Sequence, residues 1–112
     1  MLSDAKRLER KASKVLYGGS YRNVFSTEED AKRNTQLFIN WTPPDGFTFL
    51  HHWTRADGAG GLFVAEADSP EAILEAVSPW GTRLEFDLSP LLDVTEGVPI
   101  FMKVQEWMGT VE

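Results

Sequence analysis

The sequence predicts an α+β domain in which two helices cover one face of a four-stranded antiparallel sheet. Two strand-like runs, residues 47–54 and 62–67, flank a glycine-rich turn and so predict a β-hairpin. Helix signals lie on both sides of this hairpin, and residues 83–91 alternate between apolar and polar side chains, as a half-buried strand does. The length of 112 residues, with 42% hydrophobic residues, fits one such domain.

Residues 1–19 form the first predicted element, a basic helical extension. Apolar side chains recur there near helical spacing, and Gly18 and Gly19 would end the helix. Five Lys and Arg residues against Asp4 and Glu9 give residues 1–14 a net charge of +3, within a total of −6. We therefore divide the chain into this extension, residues 1–19, and an α+β domain, residues 20–112.

Residues 20–25 predict a short first strand, and a helix follows over residues 27–41. Ser26 and Glu29 have the spacing of a capping box, and two prolines end the helix. The side chains predicted to face inward are Ala31, Thr35, Leu37, Phe38 and Trp41.

The first hairpin strand predicts two different faces. Strict alternation places Phe47, Phe49, His51 and Trp53 on one face and His52 on the other. The turn at residues 55–61 contains three glycines, which tolerate the positive φ values of tight turns.

The second half of the chain predicts a helix, a strand and a final helix. Ser69 is a predicted N-cap, followed by Pro70 in the first turn. Trp80 comes just after this helix, at a corner where a large ring closes a core, so we expect a structural role for it. The apolar residues predicted to face inward in the helix and the strand are Ile73, Leu74, Val77, Leu84, Phe86 and Leu88. The final helix is predicted to be amphipathic, with an apolar stripe that covers part of the sheet or bridges two protomers: Val98, Ile100, Phe101, Val104, Trp107 and Met108.

The order of the six central elements is that of the βαββαβ ferredoxin-like pattern. Two helices cover only one face of such a sheet, and the other face needs a ligand, an extra helix or another subunit. Because both faces of the hairpin carry apolar side chains, the sequence predicts a homodimer that closes over the open face.

Six short segments resemble a bacterial family known as domain of unknown function 3303. The resemblance covers residues 20–110 and implies a dimeric α/β-barrel assembly of ferredoxin-like protomers, with no established catalytic residue. The segments are PPDGF (43–47), HW (52–53), RADGAGG (55–61), VAEADSPEAILEAVSPW (64–80), FDLSPLLD (86–93) and EGVPI (96–100).

Composition excludes several classes of function. The absence of cysteine rules out thiolate catalysis and Cys-based zinc or iron–sulfur sites, and the glycines of residues 58–61 lack the lysine of a phosphate loop. A net charge of −6 disfavours nucleic acid, and no apolar run reaches the length of a membrane span. We therefore expect a cytoplasmic protein without metal or cofactor.

Six residues are candidates for a ligand site: His51, His52, Trp53, Glu66, Glu85 and Asp87. Neighbouring strand residues face opposite ways, so His51 and His52 are poorly placed to chelate one ion, but either is a candidate base. Glu85 and Asp87 share one strand face, and on the open face of the sheet their carboxylates would line a pocket together. For each candidate, a core or surface role is the competing interpretation.

Three functions remain open on the sequence alone. The first is a non-catalytic domain that dimerises and holds a small apolar or aromatic ligand. The second is a cofactor-independent oxygenase or isomerase with His51 or His52 as base. The third is an accessory module that binds another protein through residues 1–19. An enclosed cavity lined by a histidine and a carboxylate would favour the second, whereas a sheet face filled by its own side chains would favour the first.

Overall fold

The computed structural model describes residues 14–111 and has the predicted α+β architecture. The strands form a four-stranded sheet in the order β2-β3-β1-β4, and every neighbouring pair is antiparallel. None of the helices within residues 14–111 is long and apolar enough to cross a membrane. The elements are β1 (Val15–Asn23), α1 (Glu28–Asn40), β2 (Phe47–Thr54), β3 (Gly60–Ala67), α2 (Pro70–Val77), β4 (Leu84–Leu91) and α3 (Val94–Val111).

The first strand begins earlier than the sequence predicts. Residues 15–19, expected as the end of a helix, instead belong to β1 and pair with β3. A Cβ atom at Gly19 would lie 2.3 Å from Cζ of Phe63, so the glycine makes room for an aromatic ring. The prediction of helix at residues 15–19 is therefore wrong. Residues 1–13 lie outside the described residues, and the division of the chain at residue 19 stays a prediction.

Helix α1 is capped but not buried. The Thr27 hydroxyl accepts a hydrogen bond from the Asp30 N–H at 3.1 Å, one residue later than the predicted capping box at Ser26. No residue of α1 is buried. The helix therefore stands off from the sheet that it faces.

Strand β2 contains a β-bulge that changes its register against β3. Phe49 pairs with Ala65, but His51 pairs with Val64, which leaves Leu50 as an extra residue. An extra residue reverses the inward and outward pattern. Side chains after the bulge therefore lie on the face opposite to the one that strict alternation predicts, and the prediction of one continuous aromatic face is wrong.

Helix α2 packs closely on the sheet and forms most of the core with it. The Ser69 hydroxyl accepts from the Ala72 N–H at 3.2 Å, which confirms the predicted cap. Leu74, expected to be buried, is 66% exposed, because short side chains make the contact instead. The buried apolar residues are Phe47, Phe63, Ala65, Ala67, Ala72, Ile73, Ala76, Trp80 and Leu84.

Helix α3 has no buried residue. Asp93, not the expected Thr95, supplies the oxygen that accepts from the first-turn N–H of Thr95, at 2.8 Å. The radius of gyration is 18.5 Å, whereas a compact domain of about 100 residues has about 13 Å. The apolar stripe of this helix is exposed in the single chain and does not cover the sheet within the described residues, and its bridging of two protomers stays a prediction.

Candidate functional site

A cleft of about 580 Å³ lies between α1 and the face of the sheet that carries the helices. Nine of its twenty lining residues are aromatic, and five polar side chains lie among the rings. The aromatic residues are Tyr21, Phe25, Phe38, Trp41, Phe47, Phe49, Phe63, Trp80 and Phe86. The polar ones are Asn23, Asn34, Thr35, His52 and Thr54.

Helix α1 is held at a distance from the sheet by two aromatic side chains. One is Phe38 in the helix, and the other is Trp41, which directly follows its last residue. Phe38 lies 6.0 Å from the ring of Trp80, and Trp41 lies 5.5 Å from it at right angles. Trp41 also contacts Phe49 edge-to-face at 6.2 Å. One turn or more toward the helix start, Ala31 and Asn34 are too short to span the same gap, so space remains above the sheet.

The bulge in β2 brings His52 into this cleft. Its ring stacks on Phe49 at 4.6 Å and meets the edge of Phe38 at 5.6 Å. His51 and Trp53 stack on each other at 5.1 Å on the opposite face. The structure therefore places the two histidines on opposite faces, and it puts His52, without His51, among the aromatic rings.

A hydrogen bond joins His52 to a tyrosine two strands away. The Tyr21 hydroxyl lies 2.7 Å from Nε2 of His52. The tyrosine reaches across β3 because residue 61 is glycine: a Cβ there would lie 2.3 Å from the Tyr21 oxygen. We name this arrangement the Tyr21–His52 pair.

Partial burial shifts the pKa of both members of the pair. It lowers the pKa of His52 and raises the pKa of Tyr21, because in each case the charged form loses solvation. Both residues are therefore neutral at pH 7, and the pair offers hydrogen-bonding atoms without a net charge.

Asn34 contributes a second polar atom to the cleft. Its Oδ1 is buried and has no hydrogen-bond partner within the described chain. Asn34 precedes Phe38 by four residues, which places both on the same side of α1. A buried carbonyl oxygen without a donor is unfavourable, so a bound molecule that donates a hydrogen bond would stabilise this site.

The other predicted site residues lie on the open face of the sheet, away from the cleft. Glu85 pairs with Arg22, with Oε2 and Nη2 2.6 Å apart, and this carboxylate raises the pKa of the arginine. Glu85, Asp87 and Arg22 line a shallow depression of about 360 Å³, and Glu66 lies further along β3. The structure thus does not bring these carboxylates together with His52.

No group of three His, Cys, Asp or Glu side chains within residues 14–111 is placed to hold a metal ion. Tyr21 and Asn34, in contrast, are site residues that sequence reasoning missed. A tyrosine in a strand and an asparagine in a helix carry no motif. The only available signal was Gly61, a glycine inside a predicted strand, which indicates a close approach by another group.

A family model described as Domain of unknown function (DUF3303) matches residues 17–105. This match covers most of the chain and agrees with the resemblance drawn from the short segments. Comparison with curated proteins and with solved structures found no match.

Proposed function

The chain belongs to the DUF3303 family, and we propose that it binds a small, flat, largely apolar molecule in the aromatic cleft. The observation that carries this proposal is the cleft itself, about 580 Å³ of space with nine aromatic residues in its lining. Sites for small molecules are typically concave, a few hundred Å³ in volume and mostly apolar, with few polar groups. The cleft has each of these properties.

The exposure of the rings gives a driving force for binding. Phe38 is 46% exposed although its ring faces Trp80 and His52. A flat ligand against these rings removes apolar surface from water on both partners. Offset or edge-to-face contacts between rings add to that gain.

The four tryptophans provide a direct test. Trp41 and Trp80 line the cleft, whereas Trp53 lies on the opposite face and Trp107 on α3. In protein labelled with ¹⁵N, we expect 2-methylnaphthalene to shift the indole N–H signals of Trp41 and Trp80. The signals of Trp53 and Trp107 serve as internal controls. Shifts confined to those two controls, or no saturable shift at all, would contradict the proposal.

We also propose that the protein is a homodimer of ferredoxin-like protomers, of the dimeric α/β-barrel type. The strand order β2-β3-β1-β4 supports the ferredoxin-like assignment. Exposed apolar side chains on α3, such as Phe101 at 67% and Trp107 at 63%, support association. A second copy of the chain is the partner that closes such a surface symmetrically.

Sedimentation equilibrium tests the dimer. The wild-type chain is expected to sediment with twice the mass of a single chain at micromolar concentration. The double variant Phe101→Glu/Trp107→Glu is expected to be monomeric but folded, because both side chains are exposed in the single chain. Leu74→Glu, on the exposed side of α2, is the matched control and should remain dimeric. A monomeric wild-type protein at high micromolar concentration would contradict the dimer.

A second candidate function is general-base catalysis by His52, as in a cofactor-independent isomerase or oxygenase. The Tyr21–His52 pair, which places a partly buried imidazole in the cleft, favours it. The ketone 2-tetralone is a flat probe with acidic protons next to its carbonyl. The protein should speed the exchange of these protons with D₂O, and His52→Gln should abolish this effect while His51→Gln retains it. No acceleration by the wild-type protein would rule out this candidate for ketones of this size.

A further inference from the structure

The polar atoms of the cleft specify more than an apolar ligand. The Tyr21 hydroxyl and His52 Nε2 share one hydrogen bond of 2.7 Å, which uses one proton between them. If the tyrosine donates, its oxygen keeps a free acceptor position, and if the histidine donates, the tyrosine O–H remains available. In both tautomers the Tyr21 oxygen has a position left for a third group.

Asn34 adds a requirement of its own. Its Oδ1 accepts only, is buried, and has no donor within residues 14–111. A ligand group that donates a hydrogen bond satisfies Asn34, and one that can also accept suits the Tyr21 oxygen in both tautomers. A hydroxyl group does both, whereas a carboxylate or an ether oxygen only accepts.

The position of these atoms within the cleft indicates what the hydroxyl is attached to. His52 is stacked on Phe49 and touches the edge of Phe38, so the polar pair is flanked by ring faces and ring edges. A hydroxyl on a flexible alkyl chain leaves these rings without a flat partner. A hydroxyl carried directly by an aromatic ring lies in the plane of that ring and reaches the pair while the ring stacks.

We infer that the ligand is a hydroxylated aromatic compound of the phenol class, whose hydroxyl hydrogen-bonds to the Tyr21–His52 pair or to Asn34 while its rings lie against the cleft walls. The inference rests on the proposed function and adds the chemical class of the ligand. Binding involves no covalent step, and Tyr21 and His52 both remain neutral.

The test compares two probes of similar shape, 2-naphthol and 2-methylnaphthalene, which differ in a hydroxyl against a methyl group. We expect wild-type protein to bind 2-naphthol about tenfold more tightly than 2-methylnaphthalene, because the hydroxyl makes one or two additional hydrogen bonds to partly buried partners. Titration followed by the indole signals of Trp41 and Trp80 gives both affinities.

Variants assign the selectivity to atoms. Tyr21→Phe and Asn34→Leu should each lower the ratio of the two affinities severalfold, and the double variant should bring it close to one. The readout is the ratio of the two affinities and not either affinity alone, because both side chains line the cleft. His51→Phe, on the opposite face, is the matched control and should keep the wild-type ratio.

The outcomes separate the two proposals. Equal affinity of the wild-type protein for both probes would overturn the phenol class and leave the apolar cleft standing. Binding of neither probe would overturn the proposed function, and the inference with it. A tenfold preference that survives the double variant would also overturn the inference, because other atoms would then select the hydroxyl.

Discussion

The two helices that face the sheet meet it in different ways. Helix α2 presents Ala72 and Ala76, one turn apart, to Ala65 and Ala67 on β3, and all four are buried. Helix α1 faces the same side of the sheet with no buried residue. Short side chains on α2 and on β3 let the two backbones approach closely. The part of the domain under α2, here called the α2 half, is therefore densely packed, whereas the part under α1, the α1 half, is open.

The difference shows how a small domain keeps a cavity. At its C-terminal end α1 rests on large rings, and toward its start the facing side chains are too short to fill the resulting gap. Side chains of mixed size on the inner face of α1 thus leave space between that helix and the sheet. The uniformly small residues of α2 let that helix contact the sheet directly. The core is accordingly concentrated under α2 and the candidate site under α1.

The largest expected contrast comes from aromatic truncation in the two halves. Trp80→Ala removes a side chain that is only 4% exposed, and should lower the free energy of unfolding by about 3–5 kcal/mol. Phe38→Ala removes a half-exposed ring from the α1 half and should cost about 1 kcal/mol. Urea unfolding of both variants measures the difference. Equal losses would show that α1 packs as tightly as α2.

Enlarging an alanine in each half tests the same contrast in the opposite direction. Ala76→Leu adds volume at a position that is 2% exposed, and should destabilise the protein by about 1–3 kcal/mol. Ala31→Leu adds the same volume next to the cleft and should be close to neutral. It should also weaken binding of 2-methylnaphthalene, because the new side chain occupies part of the cleft. A strong destabilisation by Ala31→Leu would mean that the cleft is not open space.

Removing either helix cap should lower stability by a similar free energy. The loss at α1 should promote local opening of that helix, whereas the loss at α2 should promote global unfolding. Thr27→Ala and Ser69→Ala each lose one capping hydrogen bond, worth about 1 kcal/mol. Because α1 has no buried residue, it should open without global unfolding. Hydrogen exchange should therefore show a loss of protection confined to α1 in Thr27→Ala. In Ser69→Ala the free energy of global unfolding should fall instead.

The smallest expected effect is a pH dependence that originates in the cleft. Partial burial lowers the pKa of His52 in the folded protein, so the unfolded chain binds more protons just below its ordinary value of 6.5. The stabilising contribution is complete above that pH and is lost as the pH falls through the folded-state pKa.

Unfolding by urea at several pH values between 8 and 5 measures this contribution. The difference between wild-type protein and His52→Gln should narrow as the pH falls, whereas His51→Gln should follow the wild-type slope. Background titration of carboxylates is common to all three proteins and cancels in the comparison. A slope unchanged by His52→Gln would show that the imidazole is fully solvated.

Local signals in the sequence were sufficient for most elements. The hairpin, the Ser69 cap with Pro70, and the alternation in β4 each depend on residues close together in the chain, and the structure confirms them. The opposite orientation of His51 and His52 also followed from the geometry of a strand alone. The match over residues 17–105 supports the resemblance carried by six short segments.

The candidate site, in contrast, depended on contacts between distant segments. The bulge at Leu50 decides that His52 enters the cleft, but the residues around it continue an ordinary alternating pattern, and only pairing with β3 reveals the extra residue. Gly18 and Gly19 end a helix by local rules, yet they lie in a central strand because Phe63 packs on Gly19. Tyr21 meets His52 only because Gly61 lies between them.

The sequence by itself therefore determined the type and order of most elements, their caps, and the exclusion of cysteine chemistry, because these follow from composition and from neighbours along the chain. The tertiary structure alone decided which face each β2 side chain occupies, which helix packs and which stands off, and which polar groups share the cleft. These depend on strand register and on the relative sizes of side chains more than 30 positions apart, such as Tyr21 and His52. No local pattern encodes them, because a one-residue shift in register leaves local propensity unchanged and reverses every side chain that follows.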